Sequence, residues 1–158
     1  MPLSPSHLAP RRRVAPTLHG RGVLFTVCGT PYAVEAARVT HVLRHEGGER
    51  ADIVFLGAPY PVLDLRMLLG FPAWDGPLGG PRGRVALLVA GVGLSAALLA
   101  DVVVTLTALP PSAISPLPDG YGAPERRWLR GLARLENRDV PLFDVDALLA
   151  SELERHHA

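Results

Sequence analysis

Apolar positions in this chain fall into short runs broken by glycine or proline, not into the three-and-four spacing of amphipathic helices. Val23-Leu24-Phe25-Thr26-Val27 stops at Cys28-Gly29 and resumes at Tyr32-Ala33-Val34. Val85 to Ala90 stops at Gly91-Val92-Gly93 and resumes from Leu94. Short apolar runs bounded by turn residues predict strands, and the missing alternation predicts strands covered on both faces. Further strands are expected over 39–44, 53–56, 60–63, 84–107, 132–135 and 140–143, with a possible helical turn at Glu35 to Arg38. A short helix should follow over Leu65 to Leu69, and a terminal one from Val145 to about Arg155.

Two segments 80 residues apart repeat one formula: Pro61-Val62-Leu63-Asp64-Leu65 and Pro141-Leu142-Phe143-Asp144-Val145. Each reads as a strand running into a helix whose first residue is an aspartate. An aspartate there accepts a hydrogen bond from a first-turn amide and faces the positive end of the helix dipole, so Asp64 and Asp144 are expected to be helix caps. The two strand-turn-strand runs repeat as well, which makes the echo an internal duplication. Gly29 to Asp64 spans 35 residues and Gly91 to Asp144 spans 53, leaving the first copy 18 shorter. The Pro- and Gly-rich stretch from Pro72 to Arg82 separates the copies as a linker or exposed loop.

The chain has 158 residues, 48% of them hydrophobic and 20% charged, as expected of a well-buried globular body. Residues 1 to 20 differ: four prolines among Ser, His and Arg, including Arg11-Arg12-Arg13, predict a disordered tail. All sixteen basic residues are arginine, and the net charge of +1 gives no global case for nucleic acid or an anionic membrane. No apolar run is long enough to span a bilayer, and no signal-peptide core follows the arginine triplet, so a cytoplasmic location is expected. Cys28 in an apolar strand reads as a small buried hydrophobe.

Catalytic equipment is sparse. His41 and His45 are the histidines of ordered sequence, and a two-histidine pair without Cys or paired carboxylates makes a poor metal site. Neither a phosphate-binding loop nor a nucleophile elbow is present. No enzyme, cofactor or metal is therefore expected. Arg126, Arg127, Arg130 and Arg134 surround Trp128 and leave open a small β-barrel that binds nucleic acid. A self-assembling scaffold domain of a phosphorelay also stays open.

The order of motifs resembles the CheW family, the coupling proteins of bacterial chemotaxis. The resemblance rests on Val23 to Val27 with Tyr32 to Val34, Pro61-Val62-Leu63-Asp64-Leu65-Arg66, and Gly93-Leu94 leading to Val102 to Leu106. Ile114-Ser115-Pro116-Leu117-Pro118, Leu129-Arg130-Gly131-Leu132 and Pro141 to Val145 complete it. It implies an all-β chain of two intertwined five-stranded SH3-like barrels, with short helices after Asp64 and at the C-terminus. The domain would cover residues 21–150, with lobe one over about 21–71, the loop over 72–82, lobe two over about 83–150 and a helix end over 151–158.

The resemblance further implies a non-enzymatic adaptor that binds methyl-accepting chemoreceptors, a CheA-type histidine kinase and other CheW-like proteins, without nucleic acid or membrane insertion. Receptor contact would fall on Val39, Val42 and Arg44, with Leu56 and Gly57, although plain barrel packing is the other reading of the apolar members. Three departures stand out. About ten residues are missing between Arg44 and Asp64, His41 stands where a Glu is usual, and Leu98 stands where an Asp is common, with Asp101 nearby. The trimmed first lobe points to an accessory coupler that keeps receptor binding while its kinase binding is altered or lost.

Overall fold

The computed structural model describes residues 20–45, 52–80 and 82–157. The tail over residues 1–19, with its arginine triplet, and the Gly47-Gly48 loop lie outside the described residues. The chain runs β1 (Arg21–Val27), β2 (Thr30–Glu35), a 3-10 turn (Ala36–Arg38), β3 (Val39–Arg44), β4 (Asp52–Phe55), β5 (Ala58–Asp64) and α1 (Leu65–Leu68). These elements form the first repeat. The second holds β6 (Val85–Ala90), β7 (Ser95–Ala100), β8 (Val102–Ala108), β9 (Ile114–Ser115), α2 (Ala123–Trp128), β10 (Leu129–Leu135), β11 (Arg138–Phe143) and α3 (Val145–His157).

Two sheets result, in strand order β8-β1-β2-β11-β10-β9 and β3-β6-β7-β5-β4. Each takes its first hairpin from one repeat and its remaining strands from the other, so a lobe is not a contiguous stretch of sequence. The hairpin β1–β2 sits with β8, β10 and β11, and β6–β7 sits with β3, β4 and β5. The seam in each sheet is a parallel pair: β2 with β11 through Ala33 opposite Leu142, and β7 with β5 through Leu98 opposite Leu63. The first of these sheets exceeds five strands because Ile114–Ser115 adds a two-residue strand beside β10.

Strand alternation explains the unbroken apolar runs. In β1, Leu24 faces the interior of its own lobe with Ala33, Ala133, Leu135, Val140 and Leu142. Val23, Phe25 and Val27 face a second core between the lobes with Leu65, Leu98, Leu148 and Leu149. Phe25, Tyr32 and Phe143 meet there, with ring centroids 5.5 to 6.3 Å apart. The other lobe has a thinner interior of Ala86, Leu88, Ala97 and Leu99, closed by half-buried Leu43, Ile53, Phe55, Tyr60 and Val62.

Three hairpins turn on two consecutive residues with positive φ: Cys28-Gly29, Leu56-Gly57 and Glu136-Asn137. Two left-handed residues match the twist of the flanking strands, which is why such turns close tight hairpins. Cys28 is exposed at the first of them, not buried as its apolar neighbours suggested, because the strand ends at Val27. Strand β3 carries a register shift against β6 between Val39 and His41. Helix α2 was not expected from the sequence; its proline lies in the first turn, where no hydrogen bond is lost.

Most of the difference in repeat length lies in one place. Seven residues, 45–51, separate β3 from β4, whereas twenty, 109–128, separate β8 from β10 and carry β9 and α2.

Candidate functional site

Val42 and Arg44 lie on β3, the edge strand of its sheet, and both point outward. Beside them an open groove of about 460 Å³ is lined by Val42, Arg44, Trp74, Arg82, Val102 and Val103, among others. Its two walls come from the edge strands of different sheets, β3 and β8. Val102, Val104 and Leu106 all expose side chains along β8, so an apolar stripe runs on from the groove.

The floor is rigid for electrostatic reasons. Arg66, in the first turn of α1, makes a two-pronged ion pair with Asp101, Nε to Oδ1 at 3.1 Å and Nη2 to Oδ2 at 2.7 Å. Both side chains are nearly buried, at 11% and 8% exposure. Asp101 also accepts the Cys28 amide at 2.7 Å, and Arg66 donates to the carbonyls of Pro72 and Ala73 at 3.0 and 3.3 Å. The Asp101 hydrogen bond raises the pKa of Arg66 further, against the opposing effect of burial.

Asp64 caps α1, accepting the Arg66 amide at 3.0 Å, and its other oxygen takes the Arg84 guanidinium at 2.9 Å. Burial pushes the Asp64 carboxyl up, but the Arg84 hydrogen bond and charge, with the amides of Arg66 and Met67, outweigh it and hold the carboxyl low. Trp74 lies over both arginines, with its ring centre 5.2 Å from the Arg66 guanidinium carbon and 5.7 Å from that of Arg84. A cation over an aromatic face is attracted by the ring quadrupole. That contact turns the Pro72 to Arg82 stretch back onto the body. Asp144 repeats the capping, accepting the Ala147 amide at 3.0 Å.

The remaining sequence candidates are divided. Val39 is half-buried and packs on the core between the lobes. Leu56 and Gly57 form the β4–β5 turn, where Leu56 is 86% exposed with φ of 52°. His41 is exposed on β3, and its ring centroid lies 4.5 Å from that of Phe55. Two departures from the resemblance, His41 and the shortened hairpin that carries Phe55, therefore touch. Sequence reasoning did not place Trp74, Arg84, Asp101 or β8 in the site; the signal for Asp101 was a lone acid between two apolar strands.

Three of the four clustered arginines have partners in the fold. Arg126 donates to the carbonyls of Tyr121 and Pro118, Arg130 pairs with Glu35, and Arg134 pairs with Asp139. Among the described residues, no group of three or more His, Cys, Asp or Glu side chains is placed to hold a metal, and no helix is long and apolar enough to cross a membrane.

The family model for the CheW-like domain matches residues 21–153. No curated protein matches the chain. Among solved structures, the scaffolding protein TtCheW from Thermoanaerobacter tengcongensis superposes with a TM-score of 0.69 at 17% identity, covering 82% of this chain and 92% of that one. The two lobes are thus SH3-like barrels in the arrangement of that fold.

Proposed function

The chain belongs to the CheW-like domain family, and from that premise we propose that it is a non-enzymatic adaptor that binds the cytoplasmic signalling tips of methyl-accepting chemoreceptors and helps to assemble receptor arrays. The observation that carries this reading is the groove between β3 and β8, whose apolar Val42, Val102 and Val103 are flanked by Arg44 and Arg82. An apolar centre with a charged rim suits reversible binding of an amphipathic helical hairpin. Leu56 joins the receptor-contact reading as a large apolar side chain held exposed in a left-handed conformation at the β4–β5 turn. Gly57 shares that turn, whereas Val39 contributes by holding β3 on the core.

Contact with a CheA-type kinase is altered or lost in this reading, because the first repeat is trimmed between β3 and β4. The protein is placed in the cytoplasm, gathered at receptor clusters with other CheW-like proteins. Pull-downs against a receptor cytoplasmic fragment and against the kinase decide it. Receptor capture with weak kinase capture is expected, and equal capture of both would remove the altered-kinase part. Val42, 49% exposed, allows a clean probe: Val42→Arg should weaken receptor binding about tenfold or more at unchanged thermal stability. Unchanged affinity would remove the groove from the receptor contact.

A further inference from the structure

Each repeat is an incomplete half that cannot close on itself. In the sheet of β1 and β2, β8 pairs antiparallel with β1, which pairs antiparallel with β2. A β3 from the same repeat in the place of β8 would therefore run parallel to β2. Parallel strands require a crossover of about a dozen residues or more, and only Ala36–Arg38 lies between β2 and β3. The link from β7 to β8 is shorter still, Asp101 alone. A repeat must find a second repeat, and the competitor to the correct partner is a copy of itself on another molecule.

The ion pairs at the seams discriminate between these partners. Arg66 follows β5 of the first repeat and meets Asp101, which follows β7 of the second. At the equivalent seam, Asp146 follows β11 of the second repeat and meets Arg38, which follows β2 of the first, with Nη2 to Oδ2 at 2.7 Å and Nη1 to Oδ1 at 3.3 Å. The acid of each pair also accepts the amide of a hairpin turn, Cys28 for Asp101 and Val92 for Asp146. The two clasps are the same device with the charges exchanged. The first repeat contributes two arginines, and the second contributes two aspartates.

We propose that this exchange is a charge code that forbids pairing of like repeats, first with first or second with second, between copies of this chain. Two first repeats would place Arg66 against Arg38 at both seams. Two second repeats would place Asp146 against Asp101. Only a first repeat joined to a second places opposite charges at both seams, and within one chain the linker makes that partner the nearest.

Refolding of the full chain from denaturant at high concentration, followed by size-exclusion chromatography with light scattering, tests the code. Swapping one clasp, R66D/D101R, keeps both native pairs opposite in charge but makes each repeat self-complementary. The share of oligomer should rise at least about tenfold, as expected when a like-charge penalty of this kind is lifted. Swapping both clasps, R38D/R66D/D101R/D146R, restores the code in reversed sign and should return the share of oligomer to that of the parent. The double swap also loses both turn-amide acceptors, whereas the single swap loses one. Oligomerisation caused by damage to the turns would therefore be worse in the double swap. A single swap that refolds as monomeric as the parent, or a double swap that oligomerises as much as the single, would overturn the code.

Discussion

Asp64 works twice, as the cap of α1 and as the counter-ion of Arg84, and the second role could not be read from its strand-to-helix context. Arg84 is buried, so Asp64→Ala strands a guanidinium and should lower the unfolding free energy by about 3 kcal/mol in urea titration. The folded carboxyl titrates below its ordinary value of 3.8, so its contribution is complete above that pH and is lost as pH falls through the lower, folded value. Asp64→Asn keeps a cap acceptor but removes that loss, so its acid unfolding limb should be shallower than the parent's. A limb of unchanged slope would show that other carboxylates dominate. Leu56 offers the opposite test. Leucine with φ of 52° costs about 1 kcal/mol relative to asparagine, so Leu56→Asn should raise stability by that amount in the same titration while weakening receptor capture.

At the scale of elements, the two lobes differ in how well they are filled. The lobe built on β3, β4 and β5 has four fully buried interior residues, two of them alanine, whereas its counterpart has seven. Fewer buried contacts mean cheaper local opening. Amides of the four-residue β4 should exchange with deuterium at least about tenfold faster than those of β11 in native-state hydrogen exchange, since local opening free energies track buried contacts. Equal protection would mean that the whole molecule opens as one unit. Strand identities were legible because short apolar runs between turn residues have few other solutions. Helix α2 and strand β9 were not, because six residues with a proline in the first turn and a strand of only two residues are too short to show a period.

At the scale of the whole molecule, duplication explains both the fold and its seams. Two repeats exchange hairpins, bury a common core between the lobes, and leave their edge strands β3 and β8 to wall one groove. The sequence by itself determined the duplication, the strand content, the paired aspartate caps and the shorter first copy, because each is written in local spacing of apolar, turn and capping residues. Only the tertiary structure decided which hairpin joins which lobe, that Arg66 meets Asp101 and Arg38 meets Asp146, and that Trp74 folds back over two arginines. These contacts join residues 35 to 108 positions apart or lie in a loop with no periodicity. A local pattern carries the preferences of its own backbone; the choice among distant partners of similar shape rests on charge and packing that exist only once the repeats have met.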